Sequence, residues 1–180
     1  MEMRIALTGK AGAGKDSIAD LLVENCGFER LAFADALKEF DRQIFGESKV
    51  KNRRRLQELG QLCRKFDEEV WIKHLDKKLE QAGEKVVITD LRQMNEYEFC
   101  KRKGFVIVKV HADDDVRLER LKARGDNFQP EDLRHETELA VDDIPYDQLI
   151  DNNGDYEALV VQVMMLINSY ANKLNPWRLP

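Results

Sequence analysis

Apolar residues along this chain fall into short continuous runs, separated by longer stretches where they recur every three or four positions. Ile5, Ala6 and Leu7 form the core of a first strand, and Ile18, Leu21, Leu22 and Cys26 then share one helical stripe. A second short strand is predicted over residues 30–33, followed by a helix opening at Asp35, a residue type that caps helices well. Leu56, Leu59, Cys63, Phe66 and Val70 continue at steps of three and four, which makes the middle of the chain helical. Val86, Val87 and Ile88 read as a buried strand, residues 105–110 as another, and Leu149 and Ile150 mark a fifth, weaker one. A last long helix starts near Asp155 and carries Leu159, Val163, Leu166, Ile167 and Tyr170 on one face.

Continuous apolar strands alternating with helices imply an α/β fold with a mostly parallel sheet covered on both faces. Such sheets bind ligands beyond the carboxyl ends of their strands. That rule directs Gly9, Ala34, Asp90, Ala112 and Asn152 to one rim. No repeat or linker divides the sequence, and 180 residues suit a single domain, 1–180.

Composition narrows the partners. A formal net charge of −5 argues against a general binder of nucleic-acid polymers, which must neutralise many phosphates. Cys26, Cys63 and Cys100 stand apart with no C-x-x-C pair, the pattern of reduced thiols in a cytosolic core. There is no apolar signal core, and no apolar run approaches the ~20 residues that span a bilayer. The expectation is a soluble, cytoplasmic protein without membrane contacts.

The chemistry concentrates after the first strand, in Gly9-Lys10-Ala11-Gly12-Ala13-Gly14-Lys15-Asp16-Ser17. This is the G-x-x-x-x-G-K spacing of a phosphate-binding loop, with a strand before it and an amphipathic helix after it. Gly9, Gly12 and Gly14 leave the backbone open to turn N–H groups toward phosphate, Lys15 adds a positive charge, and the helix N-terminus adds its dipole. Asp16 stands where a Ser or Thr hydroxyl ordinarily meets Mg²⁺. A carboxylate beside polyphosphate repels it unless a cation lies between them, so Asp16 reads as a hard oxygen ligand for Mg²⁺ or as a helix cap.

G-K-D in place of G-K-[ST] resembles the P-loop of phage-type deoxynucleoside monophosphate kinases, and also that of animal phosphomevalonate kinases. Further stretches are similar to the monophosphate kinases. They are Phe33-Ala34-Asp35-Ala36-Leu37-Lys38, the segment from Arg55 through Gly60 and Gln61 to Arg64 and Trp71, and Asp90-Leu91-Arg92-Gln93-Met94-Asn95-Glu96. The resemblance runs from Ile5 to about Ile167. It implies a P-loop kinase of three α/β/α layers with a five-stranded, mostly parallel sheet and a small helical lid.

By that resemblance Asp35, Lys38, Arg55, Gly60, Gln61, Arg64, Trp71, Arg92, Asn95 and Glu96 surround the acceptor, within a helical region of about residues 35–82. Gly60 also carries its own argument. Glycine inside a helix costs roughly 1 kcal/mol relative to alanine, so a neighbouring helix or a ligand must approach its backbone. Residues 49–55 are the densest positive patch, and from it Arg55 is the candidate for the acceptor phosphate. Asp90 ends an apolar strand on the rim and is the second candidate Mg²⁺ ligand. Arg117, Arg120 and Arg124 recur at helical spacing before a polar loop, the form of a lid at about residues 117–138. Arg120 is assigned to the nucleotide and Arg124 to the transferring phosphoryl group. His135-Glu136-Thr137-Glu138 is similar to the family's H-E-S-E segment. Asn152 and Gly154 are similar to a loop beside adenine in dephospho-coenzyme-A kinases.

The expected activity is transfer of the ATP γ-phosphoryl group to a (deoxy)nucleoside monophosphate by a monomer or homodimer. ATP and Mg²⁺ are the cofactors, and Lys15, Asp90 and Arg124 the catalytic residues. A dephospho-coenzyme-A or phosphomevalonate kinase is the near alternative. A nucleotide-binding switch with slow ATP hydrolysis is the alternative of another class.

Overall fold

The computed structural model describes residues 2–47, 53–125 and 140–174. Five strands form one sheet: β1 (Met3–Thr8), β2 (Glu29–Leu31), β3 (Lys85–Leu91), β4 (Val106–His111) and β5 (Gln148–Asp151). They lie in the order β2-β3-β1-β4-β5, and every pairing is parallel. The helices between them are α1 (Lys15–Cys26), α2 (Ala34–Phe45), α3 (Arg53–Phe66), α4 (Val70–Leu79), α5 (Met94–Arg102), α6 (Asp114–Ala123) and α7 (Tyr156–Leu174).

The strands are apolar on both faces because both faces are covered. Ile5, Leu7, Val87, Val108 and Val110 point to one side, where Ile18 and Leu22 of α1 and Leu159 and Val163 of α7 meet them. Ala6, Val86, Ile88 and Ile107 point to the other, against Leu37 of α2, Ile72 and Leu75 of α4, and Phe99 of α5. The alternation of side-chain direction along a strand therefore feeds two cores from one run of residues. Three layers result, as expected from the sequence.

Two elements differ from the periodicity. The stripe from Leu56 to Val70 is not one helix, since α3 ends at Phe66 and α4 begins at Val70. Asp67 makes the break: its side chain accepts the Glu69 amide at 3.1 Å and its carbonyl accepts the Val70 amide at 3.1 Å. Such local side-chain bonds compete with helix continuation, and Phe66 is consequently 85% exposed rather than packed. Helix α5 has no strong apolar stripe and was not foreseen. It is started by Glu96, which reaches back to the amides of Arg92 and Gln93.

Among the described residues, no helix is long and apolar enough to cross a membrane.

Candidate functional site

The loop from Gly9 to Gly14 joins β1 to α1 with positive φ at its three glycines. Two contacts from distant parts of the chain hold it from outside. Arg117 of α6 donates from Nη1 to the Ala11 carbonyl at 2.8 Å, and the Asn152 side-chain amide donates to the Ala13 carbonyl at 2.8 Å. A trans peptide sets its N–H opposite its C=O. Turning these carbonyls outward therefore turns the N–H groups of Gly12 and Gly14 inward, and both residues line the cavity below. Glycine is required at these two positions. A Cβ on Gly12 would lie 2.7 Å from the Arg117 carbonyl oxygen, and one on Gly14 would collide with the Asn152 amide. Lys15 is buried and folds back, its ammonium 2.6 Å from the Gly9 carbonyl oxygen and 3.0 Å from that of Lys10. Lys10 itself turns away to Asp142, at 2.8 Å.

A cavity of about 650 Å³ runs along the rim from this loop. Gly12, Gly14, Lys15, Asp16, Ser17 and Arg124 line it on the loop side. Arg30, Lys38, Gln57, Gly60, Arg64, Trp71 and Arg92 line it from β2, the helices α2 to α4 and the turn after β3. Asp90 and Glu96 are also on its wall. The Asp16 carboxylate lies 3.8 Å from the Arg124 guanidinium, so the candidate metal ligand and the candidate lid arginine are neighbours.

Both acids of the far wall are engaged by the protein. The two oxygens of Asp90 accept the amides of Phe33 and Ala34 at 2.8 and 2.9 Å, satisfying donors at the α2 N-terminus and tying it to the end of β3. Glu96 is buried, with one oxygen 3.1 Å from Arg64 and the other on the Arg92 and Gln93 amides. Burial and then the nearby Asp90 charge raise its pKa from 4.5 to about 7, against the pull of the two amides and Arg64. Burial likewise pushes up the neighbouring Cys100 thiol, with Glu96 and Asp90 adding to it.

Gly60 admits a helix neighbour and also faces the cavity. A Cβ there would sit 3.1 Å from Leu37 Cδ2, and the Gly60 carbonyl accepts the Trp71 indole N–H at 3.3 Å.

Several expected contacts fall elsewhere. Arg55 does not reach the cavity: it makes a two-point contact with Asp41 of α2, at 2.7 and 2.8 Å, and stacks on Phe45. Gln61 is also off the lining. The reason is helical phase, since Gln57, Gly60 and Arg64 are spaced by three and four and share the inner face. Asp35 pairs with Arg30 and Lys38 beside the cavity rather than lining it. Asn95 bonds the Glu68 carbonyl and the Glu96 amide. Arg117 is a buried strut and not an exposed lid residue. Arg120 stops beneath the loop, its Nη1 buried near Gly14 without a hydrogen-bond partner among the described residues. Asn152 supports the loop from behind, and Gly154 packs on Ala158. Residues 126–138 of the expected lid, including His135 to Glu138, and residues 49–52 of the basic patch lie outside the described residues.

Arg30 and Gln57 were missed as site residues. Arg30 could have been found from its place near the carboxyl end of a strand, and Gln57 from its spacing to Gly60 and Arg64.

Asp16 on the loop side and Asp90 on the far wall line the same cavity, and their oxygens are hard donors of the kind that suits Mg²⁺, which takes one or two carboxylates with phosphates and water.

The family described as "AAA domain" matches residues 5–160. The chain is 25% identical to an Acanthamoeba polyphaga mimivirus protein named "Putative deoxynucleotide monophosphate kinase", over 95% of this chain and 98% of that protein. In fold it is similar to a gluconokinase from Sinorhizobium meliloti 1021, with TM-score 0.63, 18% identity and 98% of each chain covered. A shikimate kinase from Acinetobacter baumannii aligns with TM-score 0.59 and 17% identity, over 94% of this chain and 95% of that one. The fold is thus that of the P-loop kinases.

Two outcomes are expected from this geometry. Replacing Arg117 by Ala should lower stability by about 2–3 kcal/mol, the cost of removing a charged hydrogen-bond donor from a buried carbonyl. Denaturant unfolding measures it, and an unchanged midpoint would remove the strut role. The second concerns Glu96, whose raised pKa means that the folded protein binds this proton more tightly than the unfolded chain. Its contribution to stability is full below about pH 4.5 and is lost as pH rises to about 7. Unfolding measured across that window should show a fall on the order of 3 kcal/mol, and Glu96→Gln should flatten it.

Proposed function

We infer that this chain, which belongs to the AAA domain family, is an ATP-dependent kinase that phosphorylates a small anionic acceptor, a (deoxy)nucleoside monophosphate. The observation that carries this reading is the charge of the cavity wall remote from the loop. Arg30, Lys38, Arg64 and Arg92 bring four cations to it, while the carboxylates of Asp90 and Glu96 are held by backbone amides and Arg64. A hydroxyl acceptor needs a base to take its proton in the transition state. A monophosphate needs none, because its oxygen is already an anion, and it is drawn to guanidinium groups that match its geometry. The mimivirus relative's name agrees with this class.

The roles follow from position. The inward N–H groups of Gly12 and Gly14 and the α1 N-terminus receive the donor phosphates. Lys15 leaves the Gly9 and Lys10 carbonyls to join them. Asp16 and Asp90 would hold Mg²⁺, which when bound offsets charge on the β- and γ-phosphate oxygens. Arg124, beside Asp16, adds positive charge at the phosphoryl group in transfer and helps exclude water. Trp71 and Phe33 supply apolar wall for the acceptor's base, and Arg64 and Arg92 bind its phosphate.

The deciding experiment measures ADP release with ATP, Mg²⁺ and a panel of ribo- and deoxynucleoside monophosphates, dephospho-coenzyme A and phosphomevalonate. Turnover dependent on a nucleoside monophosphate is expected. Turnover with one of the other two alone reassigns the acceptor, and ATP hydrolysis indifferent to all of them reassigns the protein to a nucleotide switch.

Within that assay Asp16→Ala should reduce Mg²⁺-dependent turnover about 100-fold while metal-free nucleotide binding changes little. Equal losses in both would remove Asp16 from the metal site.

A further inference from the structure

Glu96 sits where α3, the end of β3 and the start of α5 meet, and neither of its oxygens is open to a ligand. One accepts Arg64 Nη2–H at 3.1 Å, the other the amides of Arg92 and Gln93 at 2.9 and 3.1 Å, and the residue is only 3% exposed. The sequence assignment of Glu96 as a substrate contact is therefore replaced by a role through another group. That group is Arg64, whose guanidinium carries five N–H donors. Glu96 is its sole partner among the described residues, and Arg64 lines the cavity. The Arg64 Nη1 lies 3.6 Å from where a Cβ on Gly60 would be, so the missing side chain leaves the guanidinium room on that flank.

We propose that Glu96 is a positioning residue for the acceptor, holding Arg64 from behind so that the remaining N–H groups of its guanidinium receive the acceptor's oxyanion. An arginine released from such a hold must be ordered by the ligand itself, and that ordering subtracts from affinity. The proposal rests on the reading of the acceptor as a monophosphate.

Glutamine separates the two duties of Glu96. Its carbonyl oxygen can still accept the Arg92 and Gln93 amides, while its NH₂ group, a donor, is turned toward a guanidinium that also only donates. In Glu96→Gln, the KM for the nucleoside monophosphate turned over fastest in the panel should rise about tenfold, the factor set by losing one charged hydrogen bond's worth of order. The KM for ATP should hold, and the melting temperature should not fall. The double variant Arg64→Ala/Glu96→Gln should be no worse than Arg64→Ala, because the two residues act as one unit. An unchanged acceptor KM in Glu96→Gln, a parallel rise in the KM for ATP, or penalties that add in the double variant would each overturn the proposal.

A second measurement needs no turnover. In ¹⁵N-labelled protein the Arg64 Nη2–H signal, identified by its loss in Arg64→Ala, should be sharp and slow to exchange. It should broaden in Glu96→Gln, and a signal unaltered by that substitution overturns the positioning role. If no nucleoside monophosphate is turned over while the Arg64 signal responds as expected, the assigned acceptor fails and the hold of Glu96 on Arg64 stands.

Discussion

Everything at this site depends on two hydrogen bonds that point away from it. The four-residue stretch Ala11-Gly12-Ala13-Gly14 has no polar side chains with which to set its own peptide planes. Arg117 and Asn152 do so from outside, claiming the Ala11 and Ala13 carbonyls. With those oxygens committed, the planarity of the peptide leaves the following N–H groups aimed inward. The loop's amides are then set by the protein alone, so an anion bound there, as proposed above, would not have to reorganise the backbone.

The same economy recurs at the opposite wall. Asp90 joins the end of β3 to the start of α2, and Glu96 joins the start of α5 to α3. Each acid satisfies helix-terminal amides that would otherwise be orphaned in a half-buried place. Their charges remain, but six cations line the same cavity, Lys15, Arg30, Lys38, Arg64, Arg92 and Arg124. The cavity is therefore cationic in effect although its lining contains three carboxylates, with Asp16 at the loop as the third.

Local pattern carried the sheet, its helices and the loop. Strands apolar on both faces read as continuous runs, and glycine spacing after β1 has few other meanings. Neither signal depends on what the rest of the chain does. The supports of the loop were invisible for the opposite reason. Arg117 lies 106 positions from Ala11, and Asn152 lies 139 from Ala13, so no periodicity links them. Spacing put Arg117 and Arg120 on one face of α6, with Arg124 just past its end, but only the packing reveals the gradation from buried strut to exposed cation. Arg55, singled out by charge density, lies one helical step off the inner face set by Gln57, Gly60 and Arg64. Gly60 itself was legible as a close approach, and both the helix neighbour and the cavity use it.

The position of Trp71 has an optical consequence. The chain contains two tryptophans, and of them only Trp71 lies among the described residues. The residue is 5% exposed and lines the cavity, and its indole N–H donates to the Gly60 carbonyl on the wall remote from the glycine loop. Indole emission responds to the polarity around the ring and to the strength of that bond. The protein thus carries an intrinsic chromophore on the cavity wall remote from the glycine loop. A guest placed against that wall would change the polarity around the ring and so the emission of Trp71, without a label.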